Sequence, residues 1–483
     1  MNTSKLALIC LIALPGCIGP PKQDHPAPPL PTQYSAERSA AQSFSADAAT
    51  QALVPGMAPI AQWWRQFQSP ELDALVEEGL AHSPSLAAAE STLRAAHEQL
   101  RSQIGGNLFP SLDAGFAPSR QRALTIPDLP RPTFLYDVFA LEAQASYKFD
   151  FFGVALNADR ALAQQVEQQR WQFEATRRGL AANIVVATVH AAALDEMLQA
   201  TTRQAELSEE YARQLAARDR LGGVAHDDAL SASLNAAQLT GQIPALRAQV
   251  LAVRHAQAVL LGRTPDQAPE PLPLESLRVP TQIPLSVPSE LLHQRPDILA
   301  AEAAMDAAGY EAGAAAALLY PSLTLTAAYG QAGFDWSDFT GPAGKIWSVG
   351  ATLSQPLFHG GALRAQKRQY AAMYSAAQSA YRETVLAAFQ NVADTLAALE
   401  QDNLALEQAR RASDAAQSLE ADQRSRFGLG AIPWTASLTE SEQYQTARSA
   451  LARARAARLA DSAALFEAMG NAPAPEHPDR PPR

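Results

Sequence analysis

The chain has 483 residues, of which 47% are hydrophobic and 18% charged, and its formal net charge is -11. This balance excludes a charge-rich disordered chain, and the acidic sign argues against a nucleic-acid binder, whose usual footprint is a basic face. The length allows two or three domains, or one architecture built by duplication.

Residues 1–16 read as a secretion signal, with Lys5 as the positive n-region and Leu6 to Leu14 as the apolar h-region. The segment ends in Leu14-Pro15-Gly16-Cys17, a small residue before a cysteine, which is the pattern of a lipoprotein signal. Cys17 is therefore the expected site of a covalent diacylglycerol and acyl chain. Cys10 leaves with the signal, so the mature chain is expected to have no free thiol and no disulfide. Ile18 follows the cysteine, where an aspartate would favour retention at the inner membrane, so sorting to the outer membrane is expected. Residues 17–60, with Pro26, Pro28, Pro29, Pro31, Pro55 and Pro59, read as an extended tether. Residues 471–483 read as a loose Pro-rich tail.

Between these ends the chain repeats itself. His82-Ser83-Pro84-Ser85-Leu86 is echoed by Gln294-Arg295-Pro296-Asp297-Ile298. Phe109-Pro110-Ser111-Leu112 is echoed by Tyr320-Pro321-Ser322-Leu323, and Arg218 to Gly222 by Arg426 to Gly430. The partners stay in order at a spacing of roughly 210 residues, the mark of an internal duplication. Residues 61–280 form the first repeat and 281–470 the second. Each reads as helix, strand, loop, strand, very long helix, tight turn and long return helix.

The strands alternate. Phe139, Leu141, Ala143, Ala145, Tyr147 and Phe149 lie on one face, against Ala140, Glu142, Gln144, Ser146 and Lys148 on the other. Leu323, Leu325, Ala327 and Tyr329 oppose Thr324, Thr326 and Ala328; Trp347, Val349, Ala351 and Leu353 oppose Ser348, Gly350, Thr352 and Ser354. A fourth, weaker strand near Ser111 to Ala117 is cut by Pro118. A soluble sheet could show this alternation too. Strand lengths of about 9–11 residues, aromatics near the strand ends and the export signal favour a membrane sheet. On that reading Leu141, Ala143, Tyr147, Leu323, Leu325, Trp347, Val349 and Leu353 face lipid. Four strands cannot close a barrel, and lipid does not tolerate an open edge. The chain must then supply a fraction of a shared barrel, with three copies giving about twelve strands.

Two runs are long enough to need partner helices. Ala362 to Phe427 contains no Gly or Pro, and Val154 to Leu221 only Gly179; each spans roughly 100 Å as a helix. They turn at Gly222-Gly223 and at Gly428 to Pro433, where glycine can end a helix at positive φ. His226 to Leu261, with a bend expected at Pro244, and Trp434 to Met469 return.

These features resemble the TolC-like outer-membrane efflux proteins, in particular the lipoprotein branch serving resistance-nodulation-division (RND) pumps. The resemblance covers residues 60–470. It rests on Tyr147-Lys148-Phe149-Asp150-Phe151-Phe152-Gly153, His293-Gln294-Arg295-Pro296-Asp297-Ile298, Tyr320-Pro321-Ser322-Leu323, Leu353 to Gly361 and Ala388-Phe389-Gln390-Asn391-Val392-Ala393-Asp394. It implies a mainly α protomer with a membrane β-barrel portion: a homotrimer forming a twelve-stranded barrel continued by an α-helical barrel in the periplasm. It also implies a periplasmic membrane-fusion adaptor and an inner-membrane RND pump as partners. The two helical turns would be the periplasmic gate and adaptor-docking tips, comprising Arg218, Gly222, Gly223, Asp227 and Asp228 in the first and Arg426, Gly430, Ile432, Pro433, Trp434, Thr435 and Thr439 in the second. Asp228 stands where the family places the acidic member of a closing link, but the partner positions hold Ile432 and Phe427. Ala436 and Thr439 stand where the family often has pore-facing acids. The gate would then close by packing of Ile432, Pro433 and Trp434, or through other partners of Asp227 and Asp228. Those two acids read equally well as helix N-caps.

No phosphate loop, His-Glu-x-x-His motif, Cys pair or nucleophile elbow is present in the sequence, so neither enzyme nor cofactor is expected. His226 beside Asp227 and Asp228 reads as a solvated tip before a metal site. Glu196, Glu206, Glu209 and Glu210 read as solvent-facing charges. The expected function is a passive exit duct for small toxic compounds. The alternatives are a duct for type I protein secretion and a structural coiled-coil lipoprotein.

Overall fold

A computed structural model of the chain describes residues 43–46, 49–57, 60–124, 133–285 and 288–470. Cys17, the signal, the first part of the tether and the tail lie outside the described residues. Strands β1 (Ser43–Ala46) and β2 (Ala49–Pro55) are followed by helices α1 (Pro70–His82) and α2 (Pro84–Leu108). Strands β3 (Ser111–Phe116), β4 (Ser119–Leu124) and β5 (Thr133–Phe149) precede α3 (Val154–Arg220) and α4 (His226–Leu260). The second repeat runs β6 (Gln282–Leu285), α5 (Pro288–Gln294), α6 (Pro296–Ala317), β7 (Ser322–Gly333), α7 (Trp336–Thr340), β8 (Lys345–Ser354), α8 (Ala362–Gly428) and α9 (Trp434–Ala468).

The long helices are duplicated to the residue. Both α3 and α8 have 67 residues, and both α4 and α9 have 35. Val154 corresponds to Ala362 and His226 to Trp434, so every position has a counterpart 208 residues later. Helix α4 continues through Pro244. An 18-residue window of α3 is apolar enough to cross a membrane by composition, with mean hydropathy 1.3, but 56% of it is buried in the protein, as in a core helix.

The chain divides into two compact units, to both of which α2, α3, α6 and α8 contribute. The first holds β3, β4, β5, β7, β8 and the adjoining helical segments. Its sheet has the order β3-β5-β7-β8, with β4 also on β5. β3 and β4 pair with successive stretches of β5, 141–146 and 133–138, so they are one rib interrupted at Ala117-Pro118. Proline has no N–H for the ladder, which explains the break. Asp150, in the first matching motif, starts α3: its carboxylate accepts from the N–H groups of Val154 and Leu156, both at 2.7 Å.

The second unit is helical, with the small sheet β1-β2-β6 on it. Here the tether reading is corrected. Ala52 to Pro55 pair in parallel with Gln282 to Leu285. Gln51 is fully buried, and its side-chain amide donates to Ser462 Oγ at 3.0 Å. The Pro-rich composition concealed a strand whose partner is distant in sequence. The core gathers Trp63, Phe67, Leu72, Ile184, Ile283 and Phe466, with Trp63 stacked on Phe466 at 5.4 Å. The Arg295-Pro296-Asp297 motif closes the end of α9. The Arg295 guanidinium holds Asp297 at 2.8 Å, donates to the carbonyl of Ala468 at 3.0 Å and reaches Asn391 at 3.1 Å. Gly470, at φ +64°, abuts this arginine, and a Cβ there would come within 2.4 Å of Arg295 Cγ.

Side-chain links order the helices of this unit as α4-α3-α9-α8. Asn235 and Thr240 of α4 bond to Ser208 and Glu209 of α3 at 3.0 and 2.9 Å. Gln204 of α3 bonds to Thr446 of α9 at 3.1 Å, and Ser441 of α9 to Glu420 of α8 at 3.0 Å. Glu206 and Glu209 are exposed as expected. Glu196 instead lies 3.6 Å from Arg448 of α9 with its side chain largely covered.

Candidate functional site

Two surfaces carry the expected chemistry. The first is the sheet. Residues opposite one another in an antiparallel ladder share a face, so the register states directly what each face presents. One row reads Leu112, Ala145, Ala327, Val349; the next Ala114, Ala143, Tyr329, Trp347; a third joins Phe116, Leu141, Gln331 and Lys345. The opposite face reads Ser111, Ser146, Thr326, Gly350, then Asp113, Gln144, Ala328, Ser348. Four ribs thus agree on an apolar and a polar face.

In a soluble sheet the apolar face is the covered one. Here Leu112, Trp347 and Val349 are 75–77% exposed, and Leu141, Tyr329 and Leu353 are exposed as well. Along β7, Leu325, Ala327 and Tyr329 are exposed, while Thr324, Thr326 and Ala328 are partly sheltered. The sheet therefore leaves its apolar side uncovered. Tyr147 and Leu323 lie on the apolar face and are half-buried. Ala143 is exposed.

Aromatic clusters mark both ends of this face. At one end Phe139 meets Trp336 at 5.6 Å and Phe116 meets Phe339 at 5.9 Å. At the other, Tyr147 meets Phe149 at 4.8 Å and Phe149 stacks on Phe151 at 5.7 Å. From Phe139 to Phe149 at ~3.4 Å per residue is ~34 Å along the strand. A tilt of about 35–45° reduces this to ~25 Å, the height of the apolar band on a membrane barrel. The outer edges of β3 and β8 have no strand partner among the described residues.

The second surface is the pair of helical turns. Both are built alike. Gly222, at φ +70°, donates to the carbonyl of Asp219, and Gly223 to that of Arg218, both at 2.8 Å. Gly430, at φ +73°, donates to Phe427 at 2.8 Å, and Ala431 to Arg426 at 2.9 Å. This is the paired bonding that ends a helix through a left-handed glycine. Arg218 and Arg426 occupy the same place in it, and both are exposed.

The side chains across the turns differ. In the first, His226 Nδ1 lies 2.9 Å from Asp219 Oδ2. The equivalent positions of the second hold Trp434 and Phe427, whose rings meet at 4.8 Å. His226 thus engages Asp219 on the preceding helix rather than its neighbours Asp227 and Asp228. The capping reading of those two acids is corrected: the cap residue is Ala225, with no side-chain bond. Asp227 and Asp228 are exposed in the first turn of α4, where their charge favours the helix dipole. Pro433 caps α9, also without a side-chain bond. Ile432 and Thr435 are half-buried, and Thr439 is exposed with its hydroxyl on the carbonyl of Thr435 at 3.3 Å.

Behind the turns the contrast deepens. Ala212, Leu215, Ala229, Ala232 and Ala236 form a dry cluster between α3 and α4. Their counterparts between α8 and α9 are Glu420, Gln423, Ser437, Glu440 and Tyr444. Glu420 is buried, bonded to Ser441 and Arg424. Farther along, Asp402 of α8 and Asp461 of α9 sit beside Arg458, which is fully buried. Burial, followed by repulsion from Asp461, pushes the Asp402 carboxyl up to about 7. The first repeat has Leu194, Val250 and Val253 in those three places. Sequence reading missed this exchange because the duplication had been matched through its motifs and not position by position.

A family model described as outer membrane efflux protein matches residues 75–263 and again 287–471. The pyoverdine export outer membrane protein OpmQ of Pseudomonas aeruginosa is 30% identical, over 85% of this chain and 87% of that protein. The solved outer-membrane channel OprN superposes with a TM-score of 0.79 at 23% identity, covering 94% of this chain and 99% of that one. The open state of the MtrE outer membrane channel of Neisseria gonorrhoeae superposes with a TM-score of 0.74 at 25% identity, covering 92% and 98%.

Proposed function

Because this chain belongs to the outer membrane efflux protein family, we propose that three copies close a twelve-stranded barrel and act as the exit duct of a tripartite efflux system. The observation that carries this reading is the sheet whose apolar face, with Leu112, Trp347 and Val349, is exposed and backed by a polar face of Ser, Thr and Gln. Such a sheet is stable only with lipid outside and water inside. Its open edges require partner strands, and further copies of the chain supply them. The outer helices α4 and α8 also expose leucines, Leu230 and Leu234 on one and Leu404 and Leu419 on the other, as neighbouring copies in a helical barrel would cover.

Acylation at Cys17 anchors each chain, and several acyl chains hold far more firmly than one. The duct supplies no energy: an inner-membrane RND pump does, through a periplasmic adaptor docked at the turns. Cargo is small and organic, a reading supported by the relative named for pyoverdine export. We assign opening to the second hairpin, because its interior is polar while that of the first is apolar. Polar interiors trade partners with water at little cost, whereas a dry cluster does not.

Native mass of the protein extracted from outer membranes tests the assembly. A trimer carrying acyl mass on every chain is expected; a monomer or dimer would refute the shared barrel. Cysteines placed at Leu141 and Ala351 should be shielded from water-soluble thiol reagents in native membranes.

A further inference from the structure

The duplication reaches into the sheet. Ser111-Leu112 corresponds to Ser322-Leu323 by motif, and Ala145 to Leu353 by the spacing of the long helices that follow them. Both correspondences hold together: Leu112 pairs with Ala145 in the first repeat, and Leu323 with Leu353 in the second. The pair β3-β5 is thus repeated in β7-β8 to the residue. One further ladder, between β5 and β7, joins the first repeat to the second, with Phe149 opposite Leu323 and Ala145 opposite Ala327.

This join is a template for the seam between copies. Around a closed barrel, the second repeat of one copy is followed by the first repeat of the next. Carrying the join of β5 and β7 through the duplication sets β8 against β3 of the next copy, with Leu357 opposite Leu112 and Leu353 opposite Phe116. The faces agree, since Leu353, Leu112 and Phe116 all lie on the apolar side. The backbone of β3 agrees as well. The N–H of Ala117 donates to the carbonyl of Ala140 on β5 at 2.8 Å, so the alternate residues Leu112, Ala114 and Phe116 turn their backbone groups to the open edge. So does exposure. Phe149 and Leu323 are half-buried where they meet, and Phe152 stacks on Tyr320 at 5.1 Å at the same end of the ladder. At the open edges Leu357, Leu112 and Phe109, the counterparts of Phe149, Leu323 and Tyr320, are 91%, 77% and 64% exposed. A slip of one residue would set apolar side chains among polar ones, so only slips of two compete.

We propose that β8 of each copy pairs antiparallel with β3 of the next in this register, with Leu353 and Leu357 opposite Phe116 and Leu112 of that copy. The proposal rests on the shared barrel and specifies its seam.

Disulfide formation reads the register. On the polar face the same ladder sets Ser354 opposite Gly115 of the next copy, while slips of two residues would set it opposite Asp113 or Ala117. All four positions are exposed, and nothing lies within 4 Å of a Cβ built at Gly115. Opposed residues of an antiparallel pair have Cα atoms about 4.5–5.5 Å apart, within reach of a disulfide, whereas diagonal neighbours at about 7–8 Å are not. Ser354→Cys is combined in turn with Gly115→Cys, Asp113→Cys and Ala117→Cys in the full-length chain. Each variant is oxidised in native outer membranes and run on a denaturing gel without reductant, and its native mass is measured before oxidation. The Gly115 combination should become mostly covalent trimer, and the two slipped combinations and each single variant should stay mostly monomeric. Thr352→Cys with Ala117→Cys, opposed in the same register, should cross-link as well and repeats the test at a second rung. A native trimer that cross-links through a slipped combination, or through none of them, overturns the register and leaves the barrel standing. A native monomer or dimer in the wild type and every variant overturns the barrel itself, and the seam with it.

Discussion

The two helical hairpins have the same lengths, the same turn geometry and the same residue spacing, yet they are held together by opposite means. The first is closed by alanine and leucine behind the turn and a His226–Asp219 contact across it. The second has Glu420, Gln423, Ser437 and Glu440 behind the turn and Phe427 against Trp434 across it. Backbone geometry survives duplication because helix length and the left-handed glycine fix it. The interior between the helices is free to diverge, and with it the ease of separating them. The assignment of opening to the second hairpin, proposed above, rests on this asymmetry.

The contrast can be broken most sharply by exchange. Ala232→Glu places in the first hairpin the residue found at Glu440 in the second. A carboxylate buried there without a partner should destabilise α3-α4 by about 3 kcal/mol, read as loss of amide-exchange protection. Glu440→Ala should leave the second hairpin as stable as before or more so, because it removes a carboxylate oxygen that is buried and unpaired. Equal losses in both would end the distinction between an apolar and a polar interior.

A second exchange is Asp402→Leu, after Leu194. The folded protein holds the Asp402 proton more tightly than the unfolded chain, so the group penalises folding as pH rises from about 4 through about 7. Stability of the wild type should therefore fall across that window, and the variant should lose this slope. After allowing for water screening at a half-exposed group, the gain above pH 7 is about 1–2 kcal/mol. Thermal melts at pH 5 and pH 8 compare the two directly. A slope unchanged in the variant would remove Asp402 as its source.

Substitutions at the turns should show the shared backbone. Nothing lies within 4 Å of a Cβ built at either Gly222 or Gly430, so alanine meets only the left-handed φ. Gly222→Ala and Gly430→Ala should each cost about 1 kcal/mol, seen as equal fraying at the two tips by amide exchange. Unequal costs would mean that the turns are not equivalent.

The smallest effects should again separate the hairpins. Trp434→Ala should loosen the second tip by about 1 kcal/mol, independent of salt. His226→Ala should cost the first about 0.5 kcal/mol, the loss of one exposed side-chain hydrogen bond.

Much of this molecule was legible because it is periodic. The lengths of the helices, the two faces of each strand and the duplication follow from spacing, which is local. Alternation alone put Leu141, Trp347 and Val349 on the apolar face of their strands, and the register agrees that they share one face. Matching motifs also located both turns. Their side-chain links were not legible. Asp227 and Asp228 sit at a helix start and so read as caps, yet the bond across that turn comes from His226 to Asp219 on the opposing helix.

The sequence by itself determined the long helices and the two faces of the strands, which depend on residues a few positions apart, and the repeat, which follows from matching motifs. Only the tertiary structure decided that Ala49–Pro55 is a strand, because its partner Gln282–Leu285 lies in the other repeat. It also decided that the apolar side of the sheet is left exposed, that Arg178 and Arg295 close the end of α9, and that one hairpin interior is apolar and the other polar. These depend on which distant side chains meet, and the free energy of a buried polar group is set by that meeting rather than by its place in the chain.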